Sequence, residues 1–260
     1  MRLVTFNVLH GAGLDGVVDL DRFARAVVAL DPDVLALQEV DRGQERSYGA
    51  DLAAVAAEAM GATTTRFVAS MVGDPRQQWQ PASRSPDPDA AAYGVALLSR
   101  FPIEGWRELH LPRIVPRVPR LRRDPRRIQL ANEELRTAVI ARIETPEGPL
   151  LVANAHLSFM PGWNHVQLYA LRRALTTASP GRAPAVLMGD LNMTARPARA
   201  ITRFRPLVTA PTFPGDRPTF QIDHVLARGD VGAIVDARAV ELPMSDHRAL
   251  VVELDRSHLR

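Results

Sequence analysis

The 260-residue chain contains neither cysteine nor lysine. Without cysteine there is no disulfide framework, no thiolate metal site and no cysteine nucleophile. The absence of thiols also suits a reducing compartment. Without lysine every fixed positive side chain is an arginine; beside so much alanine, this reflects genome composition rather than selection at one site. No apolar run approaches the ~20 residues that cross a bilayer. The N-terminal MRLVTFNV lacks the basic start, long apolar stretch and small-residue cleavage site of a secretory leader. No solenoid period and no inter-domain linker breaks the chain. These absences predict one cytoplasmic domain over residues 1–260, able to bury its core without staples and making no stable membrane association.

The formal net charge is +3, and the sequence pI near 10 follows from a small arginine surplus. Location is more informative. Residues 113–127, RIVPRVPRLRRDPRR, hold seven arginines and one aspartate, or +6, so the other residues sum to −3. Proline punctuation excludes a central strand or a regular helix there and predicts a loop. Such a loop is either a solvated insertion or an arm that contacts phosphate. A second stretch, 71–92, is rich in Pro, Gln, Asp and Ser. The two predict surface insertions near 71–92 and 111–132.

Elsewhere strands and helices interleave. Apolar runs predict strands at 2–8, 33–39, 64–70, 93–99, 136–144, 149–156, 184–189, 222–227 and 248–254. In LDRFARAVVAL, residues 20–30, Leu20, Phe23, Val27 and Leu30 follow the spacing of one buried helical face. DLAAVAAEAM at 51–60, stopped by Gly61, and NHVQLYALRRALTTA at 164–178 behave alike.

Polar residues border these strands in a repeated way. RLVTFNV runs into Asn7, and DVLALQEV carries Glu39. LLVANAHLS delivers Asn154 and His156, and VLMGDLNM delivers Asp190 and Asn192. FQIDHVLA holds Asp223, and SDHRALVVEL opens with Asp246 and His247. Each has an ordinary reading: Glu39 as a satisfied buried acid, Asn154 as a backbone bridge, Asp190 and Asn192 as an Asx turn, His156 or His224 as core histidines. Six such segments, drawn almost wholly from Asp, Glu, Asn and His, point together to a site. The chemistry that uses this set is metal-assisted attack on a phosphate ester. Oxygen ligands without thiolate select a hard ion, Mg²⁺ or Mn²⁺. A carboxylate opposite the leaving group orients or deprotonates water, and a histidine backed by an acid donates to phosphoryl oxygens.

The ordered set TFN, LQEV, GVALLSR, NAHLS, GDLN, IDHVL and SDH resembles the endonuclease/exonuclease/phosphatase superfamily over nearly the whole chain. The resemblance implies an α/β fold of α+β type: a four-layer sandwich of two mixed β-sheets face to face, helices outside and one site at the sheet edges. It implies Glu39 as the main metal ligand, with Asn7 and Asp246 close to the ion. Asp190 would position the attacking water and Asn192 hold a phosphate oxygen. His247 would bind phosphate, oriented by Asp223, and His156 is a candidate for protonating the leaving oxygen.

The substrate is left open. The histidine and acid pair that follows GDLN in exonuclease III-like repair enzymes is replaced by MTARPARA, and the inositol phosphatase motifs are absent. Val95 stands where many relatives carry a polar residue, which removes one expected substrate contact. Arg136 resembles a family arginine and is a candidate for facing phosphate or for a structural ion pair. Trp163, Asn164 and His165 are candidates for lining the pocket, with Asn164 equally readable as a helix cap. Tyr93 is read as a strand aromatic. The expected activity is phosphodiester hydrolysis, in nucleic acid or a nucleotide first. Phosphomonoesters or phospholipid head groups are the alternative on the same site, and a non-catalytic phosphate-binding module is the other class. Retention of Glu39, Asp190, Asn192, Asp223, Asp246 and His247 argues against that last class.

Overall fold

All nine predicted strands form, and the computed structural model adds six more. It describes residues 1–77, 79–113, 118–121, 128–131, 134–178 and 183–259, with backbone alone for 118–121, 128–131 and 258. The first half runs β1 (Arg2–Asn7), α1 (Leu20–Leu30), β2 (Val34–Arg42), α2 (Leu52–Met60), β3 (Thr64–Val72), β4 (Gln80–Pro81), β5 (Ala92–Ser99) and β6 (Ile103–His110). Next come β7 (Val118–Leu121), β8 (Ile128–Ala131), β9 (Thr137–Thr145), β10 (Gly148–His156), α3 (Trp163–Ala178) and β11 (Ala185–Asp190). The chain then adds α4 (Ala195–Thr202), β12 (Arg205–Pro206), β13 (Asp223–Arg228), β14 (Ala233–Val240) and β15 (Ala249–Asp255).

Two mixed sheets result, one ordered β14-β15-β1-β2-β5-β3-β4 and the other β12-β13-β11-β10-β9-β6. Strand alternation sorts the side chains into layers. Leu3, Ala36, Leu97, Val152, Val186 and Leu250 meet between the sheets. Their neighbours Val4, Phe6, Leu35 and Leu37 face outward onto Phe23 and Val27 of α1 and Leu52 and Ala56 of α2. On the far side Ile140, Ala153 and Leu187 face Leu168 and Leu171 of α3 and Ala198 of α4. The fold is therefore a four-layer sandwich, as expected. Its helices end by local rules: Asp19 caps α1 by accepting from Arg22 N at 2.9 Å, and Asp51 caps α2 from Ala53 and Ala54. Each such cap contributes about 1 kcal/mol.

Each sheet contains one parallel pair, β1 with β2 and β10 with β11, crossed by α1 and α3 respectively. Open α/β sheets bind ligands beyond the carboxyl ends of such strands. Asn7, Glu39, His156 and Asp190 stand at or near those ends, and the antiparallel neighbours β13 and β15 bring Asp223 and His247 to the same edge.

The structure corrects several expectations. β6 and β14 are edge strands, exposed on much of their length and each carrying a bulge, so neither shows a clean period of two. α4 is hidden in sequence by Pro197, which its first turn tolerates. The arginine segment is not wholly a loop: Val118–Leu121 pairs with Ile128–Ala131 as a separate ribbon, and residues 114–117 and 122–127 lie outside the described residues. The 71–92 segment is more than a surface excursion, because Trp79 packs on Tyr93 with ring centroids 5.3 Å apart. Val95 is buried between the sheets and faces no substrate.

Candidate active site

Glu39 is aimed by a defect in its strand. The β2–β5 ladder pairs Leu37 with Ala96, then resumes at Val40 with Gly94. Within this bulge Glu39 takes a left-handed conformation, φ 57°, a strained state for a side chain with a Cβ. The bulge is held from the opposite sheet. Asn154 of β10 donates to Leu37 O at 2.8 Å and Ala96 O at 2.7 Å, and accepts from Gln38 Nε2 at 2.7 Å. The expected backbone bridge is real, and its partners are the carbonyls of the last ladder pair before the Glu39 defect.

A second close approach carries Asp190. At Gly189, φ 139°, a Cβ would lie 2.0 Å from Ala155 O, so only glycine lets β11 lie this near β10. There His156 and Asp190 stand side by side, His156 Nε2 lying 3.4 Å from Asp190 Oδ2. Asp190 also forms the Asx turn, its Oδ1 accepting from Asn192 N at 2.9 Å. Its Oδ2 accepts from Asn7 Nδ2 at 3.1 Å, and the same amide donates to Glu39 Oε1 at 3.2 Å. Asn7 Oδ1 meanwhile takes Leu9 N–H at 3.2 Å. One amide group thereby ties both parallel pairs together.

Across β11, Asp223 Oδ2 lies 2.8 Å from His247 Nδ1. The other ring nitrogen faces acids, 3.8 Å from Asp190 Oδ2 and 4.0 Å from Asp246 Oδ1. Burial opposes charge on this ring, but Asp223, through its charge and hydrogen bond, with Asp190 and Asp246, pushes its pKa up to about 10. His156 is driven the other way, well below its usual value, by burial and by the cations Arg136 and His247. Its distance to Asp190 would allow an ion pair; complete burial beside two cations keeps it neutral. Asp190 is raised to about 7 by burial and the neighbouring Asp223. Glu39 is raised by burial, with Glu134 and Asp246 adding to it against Asn7 and Arg136.

Glu39, Arg136, His156, Asp190, Asn192, Asp246 and His247 line one pocket of about 710 Å³. Asn7 and Asp223 lie behind it, fully buried. Arg136 pairs with Glu134 at 3.3 Å. Trp163 and Asn164 do not line the pocket: Asn164 is buried and donates to Asn192 O at 2.7 Å, supporting that turn from outside. It is the second residue of α3, not its cap. His165 is exposed, and His224 is a core histidine bonded to Met193 O. Sequence reasoning missed His10, Arg46, Trp79, Phe159 and Phe213, which also line the pocket, and underrated Tyr93. His10 sits among three successive positive-φ residues, Leu9, His10 and Gly11, and burial with Arg46 nearby lowers its pKa to about 4. The HGAG run was the one signal for it. Arg46 forks onto Asp41 and lies over the rings of Trp79 and Tyr93.

The donors fit a divalent cation. Ligand atoms of Asp190, Asp223 and His247 all lie within 4.8 Å of one another, and Glu39 and Asp246 face the same space. Glu39 and Asp190, buried enough to resist ionisation, are carboxylates that a cation relieves, and with no thiol in the chain the set is hard.

Two sheets whose strands end in acids, amides and histidines around one pocket define a metal-site architecture of the phosphoesterase type. The chain belongs to the Endonuclease/Exonuclease/phosphatase family, which it matches over residues 4–247. Its fold is similar to an endonuclease/exonuclease/phosphatase from Beutenbergia cavernae, at TM-score 0.67 and 23% identity, covering 97% of this chain and 70% of that one. It is similar also to sphingomyelinase C from Streptomyces griseocarneus, at TM-score 0.63 and 16% identity, covering 98% and 99% of the two chains. A third is a Staphylococcus aureus beta toxin mutant with bound magnesium ions, at TM-score 0.65 and 13% identity, covering 98% and 99%. No curated protein sequence matches the chain. Among the described residues no helix is long and apolar enough to cross a membrane.

Proposed function

We propose that this protein, acting as one catalytic domain, hydrolyses phosphodiester bonds with Mg²⁺ or Mn²⁺, in nucleic acid or a nucleotide. The observation that carries this reading is the position of Asp190, flanked by Asn7, His156 and His247 on the wall of a pocket that Glu39 and Asp246 share. Glu39 and Asp246, with Asn7 beside them, would hold the ion, which when bound supplies charge stabilisation for phosphoryl oxygens.

The chain's own residues do the rest. Asp190, near neutrality in proton affinity, is suited to take a proton from water at physiological pH. Its orientation is fixed by Asn7 and the Asn192 amide. Asp223 keeps His247 cationic, so His247 Nε2 donates to a non-bridging phosphoryl oxygen. Asn192, left-handed at φ 49°, directs one amide hydrogen to Leu157 O at 3.0 Å, and its second amide hydrogen would hold a phosphate oxygen. His156, held neutral, acts as a hydrogen-bond donor rather than as a strong acid. Arg136, buried with Nε unpaired, supplies a fixed positive charge.

The phospholipid or phosphomonoester alternative has one observation in its favour. Phe159 lines the pocket and is 49% exposed, an apolar lip that suits an amphiphile. Hydrolysis of a panel of DNA, RNA, dinucleotide, phosphomonoester and phosphocholine substrates separates these readings. Activity is expected with Mg²⁺ or Mn²⁺ and none in chelator. Glu39→Gln should lose divalent binding by calorimetry while melting as the parent does. Full activity in chelator would overturn the reading.

A further inference from the structure

The helical layer over the second sheet carries no acid. Between Glu147 and Asp216 the sequence has seven arginines and a single acidic residue, Asp190, which is buried in the pocket. Arg196 and Arg199 lie on α4 at the i, i+3 spacing of one face, Arg203 caps its C-terminus in a left-handed conformation, φ 59°, and all three are exposed. They line a groove of about 700 Å³ floored by Ala200, Pro206 and Thr209. Among the described residues none of the three makes an ion pair. Exposed Arg66, Arg76 and Arg142 are matched, with Glu108, Glu45 and Glu104, and exposed Arg25, Arg107 and Arg217 make no ion pair among the described residues; the α4 three differ from these in sharing one groove.

One of the three works against the helix, although Arg199, in the last turn, is favourably placed. Arg196 stands in the first turn, where the helix dipole disfavours a cation, and no acid offsets it there. A local choice that weakens its own element points to use by something else. Position gives that use a direction. Asn192 lines the catalytic pocket, and the bend after it leads directly into α4 and Arg196. From Arg196 to Thr202 the helix rises about 9 Å, with Arg203 just beyond it, a span longer than one phosphate group and comparable to about three base steps of a duplex strand.

We propose that the α4 groove is a docking track for a nucleic-acid backbone that leads its phosphates to the catalytic pocket. Arg196, Arg199 and Arg203 each take one phosphate through the planar guanidinium fork. The track is sequence-independent, because nothing in it reads base edges. A membrane surface fits less well: the exposed residues of α4 are arginine and alanine, with no large apolar side chain to insert. The proposal extends the phosphodiesterase reading to polymeric substrate, and it is tested by binding without turnover.

Fluorescence anisotropy of a labelled oligonucleotide, single-stranded and duplex, is measured in chelator between about 50 and 200 mM salt. The triple variant Arg196→Gln, Arg199→Gln, Arg203→Gln should bind at least about tenfold more weakly. The slope of log affinity against log salt should flatten by about 2 to 3, three contacts at roughly 0.7 to 0.9 each. The matching triple Lys variant should keep most of the slope. Melting should be unchanged, since Gln is a good helix former, and hydrolysis of a small chromogenic phosphodiester should match the parent. An unaltered affinity and slope in the Gln variant overturns the proposal, as does a parent that binds no oligonucleotide. It is also overturned if the substitutions abolish binding to phosphatidylserine vesicles while oligonucleotide binding persists. If oligonucleotide binding changes as expected but the parent cleaves no phosphodiester, the groove stands and the catalytic reading falls.

Discussion

Replacing Asp223 by Asn tests the centre of the site with little steric disturbance. Asp223 is fully buried and His247 is 6% exposed, their hydrogen bond spanning 2.8 Å. Asn preserves volume and a hydrogen-bonding partner for Nδ1, so the substitution removes charge alone. In the parent the ring pKa rises from 6.5 to about 10, which at about 1.4 kcal/mol per pH unit is a preference for the charged ring of about 5 kcal/mol. That figure sits at the upper end of the roughly 3 to 5 kcal/mol lost when one member of a buried pair is removed.

Because the folded pKa lies above the unfolded one, the stabilisation is fully present below about pH 6.5 and is lost as pH rises through about 10. Asp223→Asn should therefore destabilise most near pH 6, with the gap to the parent narrowing toward pH 10. In the variant, burial acts on the ring without its main counter-charge, and the ring becomes neutral at lower pH. The profile of kcat/KM for a small chromogenic phosphodiester should lose its alkaline plateau by at least about one pH unit, with a fall in kcat of about 10²-fold or more. Urea unfolding at several pH values and the ¹⁵N shifts of His247 follow the same titration. An alkaline limb that does not move, with a stability loss independent of pH, would refute the charge coupling and leave Asp223 as a packing acid.

Two further substitutions act through backbone. Asn154→Ala should strip Leu37 O, Ala96 O and Gln38 Nε2 of their shared partner, costing about 3 kcal/mol or more. Mn²⁺ titration of the still-folded variant should show weakened binding, since the Glu39 bulge loses its clamp; unchanged metal affinity would separate Asn154 from the site. Gly189→Ala forces a side chain into φ 139° and against Ala155 O, so the urea midpoint should fall by the equivalent of about 3 kcal/mol or more. A midpoint matching the parent would show that β10 and β11 need not approach so closely.

The residues that carry chemistry were legible where a strand ends, because Asn, Asp and His are poor strand formers and stand out behind an apolar run. Asn7, His156 and Asp190 satisfy that description, and Asp223 stands instead at the start of its strand. The layers were legible in part for a similar reason, since the period-3.6 burial of α1 and the continuous apolar run of β1, covered on both faces, are local. Trp163 and Asn164 were misplaced although a local signal existed. Asn164, Gln167, Leu168, Leu171 and Leu175 form the buried face of α3, so helical spacing already turned Asn164 inward. β6, β14 and α4 escaped notice because solvent-exposed edges and a first-turn proline blur periodicity.

What no local pattern contains is aim. Glu39 reaches the pocket because its strand is bulged, and the bulge persists because an amide from the other sheet, far along the chain, bonds both carbonyls of the ladder pair just before it. Trp79 joins the pocket only because its loop folds back on Tyr93, and His10 only through a run of positive φ. The site thus depends on side chains that touch no substrate. Substituting Asn154, which lies outside the pocket, should disturb metal binding through the position of Glu39 alone. The conservative Asn154→Gln, whose longer chain keeps the amide but shifts it, should bind metal more weakly than its residual stability accounts for if position is what matters.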